Sequence, residues 1–285
     1  MIKVWINRTM MTATNTLNQL QSKIDQISNN IANVDTTAFK KTQTSFNDLL
    51  TQSFNNQPSE TKEKGRLTAP GIRQGTGAML SQSQLVLSQG ALKTTDRNLD
   101  AAFTRDDQFF TVSVQDDNGV NTRLTRDGVF YLSPNANDQM MLVTSAGHKV
   151  LDENGEPILI EGNIKGIKIS EYGLLIVDTE EYGEKSFGLG IVSVKKPQFL
   201  DRLGGNLLGL PKNFNALGVT EDDIMTALTG DSRNQAAVRQ GTLESSNVDL
   251  SKEMTDLINV QRSYQFQSRA VTMADQMSGL VNGIR

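Results

Sequence analysis

The sequence predicts an α+β protein, with a mainly β central domain of antiparallel hairpins flanked by long N- and C-terminal α-helices that pair as a coiled coil. Both ends of the chain carry apolar residues at heptad spacing, and between them the apolar period falls to two. Asn-Gly and Asp-Gly pairs separate the period-two runs.

At the N-terminus, Ile6, Met10, Ala13, Leu17, Leu20, Ile24, Ile27, Ile31 and Val34 recur in alternating four- and three-residue steps, which is the spacing of a coiled-coil seam. Polar residues fill the rest, so the helix offers one narrow apolar stripe and needs a partner to bury it. The C-terminal stretch, starting from an N-cap at Asn247 or Asp249, places Leu250, Leu257, Val260, Tyr264, Val271, Ala274 and Val281 on a second seam, with Met254 beside it. Gln267 and Ser278 soften this seam.

The interior runs Phe109–Val114, Val129–Leu132, Met140–Thr144, Ile158–Ile160, Ile167–Ile169, Leu174–Val177 and Gly190–Val194 read as short strands. Asn118-Gly119, Asp127-Gly128 and Asn154-Gly155 tolerate the positive φ of tight hairpin turns. A short helix is predicted after Thr220, where Asp223 completes a capping box and Ile224 and Leu228 supply apolar spacing. The division that follows is a terminal helical assembly domain (residues 1–45 and 242–285, poorly ordered in the monomer), an extended arm or loop (46–76) and a β-rich body (77–241). The arm reading rests on a polar, aperiodic stretch from Thr51 to Gln74 containing Pro58, Gly65, Pro70 and Gly71.

Composition narrows the function. The 285 residues are 37% hydrophobic with a formal net charge of −4, and the basic residues form no stripe to hold a phosphate backbone, so nucleic acid is not an expected partner. No apolar run reaches the roughly 20 residues of a membrane span, and Met1–Ile6 is too short for a signal-peptide core. With no cysteine and one histidine, thiol chemistry and His-rich metal sites are excluded. His148 follows Gly147 at an apparent hairpin and has no triad around it. Glu180-Glu181 and Asp222-Asp223 are adjacent residues that point apart, and read as solvated charge. Asp152, Asn154 and Glu156 lack the Gly and terminal Glu of a calcium loop, and Gly75-Thr76-Gly77 and Gly188-Leu189-Gly190 read as turns or bulges. No catalytic residue and no cofactor are expected.

Ile27-Ser28-Asn29-Asn30-Ile31-Ala32-Asn33-Val34-Asp35-Thr36-Thr37-Ala38-Phe39-Lys40 closely resembles the N-terminal signature of flagellar rod and hook proteins, NNLANxxTxGFK. Gly241-Thr242-Leu243-Glu244-Ser245-Ser246-Asn247-Val248-Asp249-Leu250, with Glu253-Met254-Thr255 and Gln261-Arg262-Ser263-Tyr264, is similar to the C-terminal one. Gly75-Thr76-Gly77, Ser88-Gln89-Gly90, Leu99-Asp100, Phe109-Phe110-Thr111-Val112 and Leu124-Thr125-Arg126-Asp127-Gly128-Val129-Phe130 follow the family's central elements. Two departures stand out. The family's Gly before Phe39 is Ala38, which costs about 1 kcal/mol if that position is left-handed, and Thr104–Gln108 replaces a short glycine turn.

The resemblance implies a structural axial subunit of the flagellar basal-body rod, self-assembling into a helical tube that transmits torque. Within the family, Phe46–Leu50 and Pro70–Gly77 resemble a distal rod subunit more than a proximal rod or hook subunit. The implied partners are further copies of this chain, other rod and hook subunits and the flagellar type III export apparatus, without direct membrane insertion. Combining seam and signature, the assembly interface is expected at Leu17, Leu20, Ile24, Ile27, Asn30, Ile31, Asn33, Val34, Phe39, Leu250, Met254, Leu257, Gln261, Arg262, Tyr264 and Val271. A secreted coiled-coil adhesin, with a receptor pocket in its β part, is the competing class. A hydrolase would need a catalytic domain, and none is visible.

Overall fold

A computed structural model describes residues 2–48, 51–54, 72–75, 78–80, 83–116, 119–135, 139–211 and 218–283. The architecture is α+β, with two long terminal helices, Ile2–Ala32 and Leu250–Gly283, and short antiparallel strands between them. The chain divides into two compact units. One holds residues 1–31, 42–84 and 250–285, and the other holds 32–41 and 85–249. This grouping differs from the expected bounds at 45, 76 and 242, because the stems beside both helices belong with the β body.

In the second unit, one ten-stranded sheet is organised around the strand Gln108–Asp116. One edge of it pairs with Gly119–Thr125, and the other with Lys149–Val150 and Ile191–Val194, all antiparallel. Side chains alternate across the strand. Phe110 joins the larger core with Phe103, Phe130, Val112, Leu142 and Leu175, whereas Phe109 packs on the opposite side with Leu124, Val192, Val194 and Leu208. The Phe103 and Phe110 centroids lie 4.2 Å apart, and Phe130 meets Phe110 edge-on at 5.1 Å.

Ile164–Ile169, Leu174–Thr179 and Gly183–Gly188 form a separate three-stranded meander. Buried Arg233 holds it through the carbonyls of Tyr172, Gly173 and Leu189 and an ion pair with Glu153 at 3.0 Å. Gly188 and Gly190 are therefore close-approach glycines and not the expected turns or bulges. A Cβ on Gly188 would stand 2.2 Å from the Arg233 guanidinium, and one on Gly190 would stand 2.7 Å from the Asp152 carbonyl oxygen.

Gly119 and Gly155 adopt the expected positive φ, 115° and 83°. Gly128 does not, which corrects its assignment as a hairpin glycine; a Cβ there would lie 1.7 Å from the Ala101 carbonyl oxygen. The short helix after Thr220 forms at Glu221–Ile224, with the Asp223 carboxylate accepting from the Thr220 backbone N–H at 3.1 Å.

In the first unit, the ends of the expected arm or loop are paired strands. Phe46–Asp48 pairs with Ala78–Leu80, and Thr51–Phe54 pairs with Ile72–Gly75. The rest of the arm, residues 49–50, 55–71 and 76, lies outside the described residues. No helix among the described residues is long and apolar enough to cross a membrane.

Candidate functional site

The first unit contains a mixed cluster from both terminal helices. Leu20, Ile27 and Val260 are buried together, with Ile24, Ile31, Leu257 and Tyr264 packed against them. Leu20, Ile24, Ile27 and Ile31 are the predicted four-three seam, so the repeat places them on one side of the helix as expected. Ala13 and Ala274 are buried as well, while Leu17 and Val271 are half-buried.

One polar residue interrupts the apolar face. Asn30 is buried, and its amide donates to the Thr42 carbonyl at 3.0 Å and to Glu253 Oε2 at 3.2 Å, while its oxygen accepts from Thr42 N–H at 3.2 Å. The bond to Glu253 ties the end of the first helix to the start of the second. A buried amide satisfied in only one alignment specifies register. Lys23 Nζ donates to the Thr44 carbonyl at 2.7 Å, and Gln19 accepts from Leu80 N–H at 3.0 Å, so the N-terminal helix also anchors its following ribbon.

In the second unit, the stems beside the helices meet at a buried carboxylate. Glu244, 2% exposed, accepts from Lys40 Nζ at 2.7 Å, Arg126 Nε at 2.8 Å and Gly90 N–H at 2.8 Å. Lys40 spends its other donors on the carbonyls of Leu87 and Ser88, and Arg126 spends its own on those of Arg105, Asp106 and Gln108. A buried charge cluster is tolerable only when every ion is paired and hydrogen-bonded, as here. Burial first, then the charge of Arg126, lower the Lys40 pKa from 10.5 to about 8, against the pull of Glu244.

The same stems carry the remaining signature residues. Ala38 has φ 58°, the left-handed conformation that favours glycine, and its N–H donates to the Glu244 carbonyl at 2.8 Å. Phe39 is buried under the Arg202 guanidinium, 4.2 Å from its ring centroid. Asn247 accepts from Lys41 N–H at 2.7 Å and donates to the carbonyls of Val86 and Ser88. A Cβ on Gly90 would fall 2.0 Å from the Ser245 carbonyl oxygen. The replaced glycine turn is held differently, because the carbonyls of Arg105 and Asp106 are captured by Arg126.

A family model described as flagella basal body rod protein matches residues 10–40, and another, flagellar basal body rod FlgEFG protein C-terminal, matches residues 239–284. The chain is 45% identical over 282 residues to the flagellar hook-basal body complex protein FlhP of Bacillus subtilis (strain 168), covering 98% of this chain and 99% of that one. It is 32% identical to the flagellar basal-body rod protein FlgG of the same organism (96% of this chain, 98% of that one) and 31% identical to FlgG of Borreliella burgdorferi (98% of each). The chain belongs to the flagellar basal-body rod protein family.

As a member of that family it is a structural subunit of the flagellar basal body. The matched segments contain most of each long helix with its stem, so the Asn30–Glu253 bond and the Lys40–Glu244 ion pair each join one matched segment to the other.

Of the interface residues expected in this rod subunit, Leu17 and Val271 are half-buried on their helices and the others separate into three groups. Leu20, Ile24, Ile27, Asn30, Ile31, Leu257 and Tyr264 come together between the two helices. Asn33, Val34 and Phe39 lie beyond the first helix, which ends at Ala32 and not at Val34, and belong to the β-body unit. Leu250, Met254, Gln261 and Arg262 are exposed. Leu250 leaves the seam because Glu253, bonded to Asn30, occupies the buried position of that first turn.

The exposed side of the C-terminal helix is itself apolar. Ile258, Phe266, Met273, Met277 and Leu280 are all exposed, Phe266 at 73%. At 100° per residue they lie roughly opposite Leu257, Val260 and Tyr264. The heptad reading missed them because a seven-residue template reports one seam. The signal was the number of apolar residues left off that seam, since a helix apolar on two sides has two surfaces to cover. Among the described residues no cluster could hold a metal ion. The Asp152 carboxylate accepts from Asn154 and Glu156 N–H groups in its own turn.

Proposed function

We propose that this rod subunit assembles into a helical tube through its terminal helices, paired within each chain as an antiparallel coiled coil. The carrying observation is the two-sided C-terminal helix, with one apolar side spent on the N-terminal helix and the other exposed. Exposed apolar stripes of this kind mark interaction surfaces. A stripe that meets a different surface on the next copy is a heterologous contact, which propagates along an axis without closing and so builds a tube able to carry torque.

The helices are poorly ordered in the free monomer and fold as subunits add, the ordering entropy being offset by burial of both sides of Leu250–Gly283. The β-rich body forms the tube wall, and the Thr51 to Gln74 arm bridges neighbours. The subunit passes unfolded through the type III export apparatus, to which the absence of cysteine is suited. Its similarity over nearly the full length to several FlgG proteins supports a distal rod position, next to other rod and hook subunits.

The test replaces the chromosomal copy with Phe266→Asp and scores motility and rod length by electron microscopy. Loss of the rod beyond the preceding subunit, with the β body still folded, is expected; motile cells would remove the exposed stripe from the interface.

A further inference from the structure

Two of the ten methionines, Met273 and Met277, lie on the outward face of Leu250–Gly283, each about half exposed, and Met254, similarly exposed, lies beside the inner seam of the same helix. Phe266 to Met273 is a step of seven, Met273 to Met277 four and Met277 to Leu280 three, so these four residues occupy one side of the helix. The chain has no cysteine, which leaves the thioether as its most readily oxidised side chain. Met225 differs, being half-buried and packed against the cluster of Phe109, Leu124 and Val192.

We propose that Met273 and Met277, with Met254 as a weaker contributor, are a reversible sulfoxidation site by which peroxides hold the free subunit out of the assembly. The inference rests on the reading of this helix face as an assembly surface. In the reaction, the thioether sulfur attacks the terminal oxygen of hydrogen peroxide. An S–O bond forms as the O–O bond breaks, sulfur is oxidised by two electrons, and the leaving hydroxide takes up the remaining proton as water. Each sulfoxide turns a flexible apolar side chain into a strongly polar one. Water hydrates it while the stripe is exposed, whereas covering the stripe strips that water away without supplying a donor. Oxidation therefore leaves the fold of the subunit intact and acts on its addition to the rod. Methionine sulfoxide reductase reverses it.

The full-length chain is treated with dilute hydrogen peroxide and each methionine followed by mass spectrometry. Met273 and Met277 should react several-fold faster than Met225, on the order of fivefold, from their exposure; equal rates overturn the site. Cells carrying Met254→Leu/Met273→Leu/Met277→Leu, a volume-conserving change, should keep assembling rods at a peroxide dose that cuts assembly in wild-type cells by about tenfold. If both lose rods alike, the proposal fails. Should the triple variant be non-motile untreated, the single Met273→Leu variant is scored, together with recovery of peroxide-treated wild-type cells by overexpressed reductase; absence of both protection and recovery overturns the proposal. Phe266→Asp in the same background separates the two readings. If it abolishes rods while peroxide sensitivity is unchanged by the leucines, only the oxidation inference falls; if it leaves rods intact, the assembly surface falls as well.

Discussion

The joint around Glu244 and the outer side of the C-terminal helix contrast in completeness. At the joint, a buried carboxylate, an ammonium and a guanidinium find their partners within the chain. On the helix, Phe266, Met273 and Leu280 present apolar surface to solvent without such compensation. A folded monomer leaves surface like the second uncovered only at a cost in solubility. The contrast separates what a subunit does for its own fold from what it holds in reserve for a neighbour, and the two should respond differently to substitution.

The largest effect is expected at the joint. Glu244→Ala leaves Lys40 and Arg126 buried without a counter-charge and should destabilise the β body by about 3–5 kcal/mol, read as a lowered urea midpoint. Ile27→Asp should keep the apolar cluster between the helices from forming as subunits add. Its signature is absent rods, with near-native β-body unfolding and unchanged circular dichroism of the free subunit. Phe266→Asp should change stability by less than about 0.5 kcal/mol, because the site is exposed, and yet abolish assembly. If it instead unfolds the chain, the distinction between the two regions collapses.

Protonation sharpens the comparison. The Lys40 pKa in the folded chain, about 8, lies below its ordinary 10.5, so between those values the unfolded chain binds the extra proton. This group alone then makes the folded state gain stability as pH rises from about 8 toward 10.5. The difference in urea stability between wild type and Lys40→Met should therefore shift in favour of wild type over that interval, and a difference independent of pH would count against the lowered value. The smallest effect is at Ala38, whose φ of 58° suits glycine. Ala38→Gly should raise stability by about 0.5 kcal/mol, relief of backbone strain exceeding the added unfolded-state entropy, measured as a small rise in melting temperature.

Several features were legible because they are local. The steps Leu20, Ile24, Ile27 and Ile31 define one helix side whatever surrounds them. The Thr220–Asp223 capping pair and the left-handed Gly155 depend on residues within a turn. Gly128 was misassigned for the opposite reason, because its constraint comes from Ala101, a contact between strands. The outer stripe of the C-terminal helix lay in between. Its residues are ordinary apolar side chains, and only the burial of Leu257, Val260 and Tyr264 shows which side has been used.

The sequence by itself determined the two helices, the hairpin body between them and membership of the flagellar rod and hook family, since these rest on period, turn chemistry and contiguous signatures. The tertiary structure alone decided why Lys40 and Glu244 occupy their places in those signatures. They are 204 positions apart in the chain, and Arg126 is 118 positions from Glu244. No periodicity spans such separations. An ion pair this deeply buried exists only once the chain has closed around it, because only there do desolvation and charge act on the same three side chains.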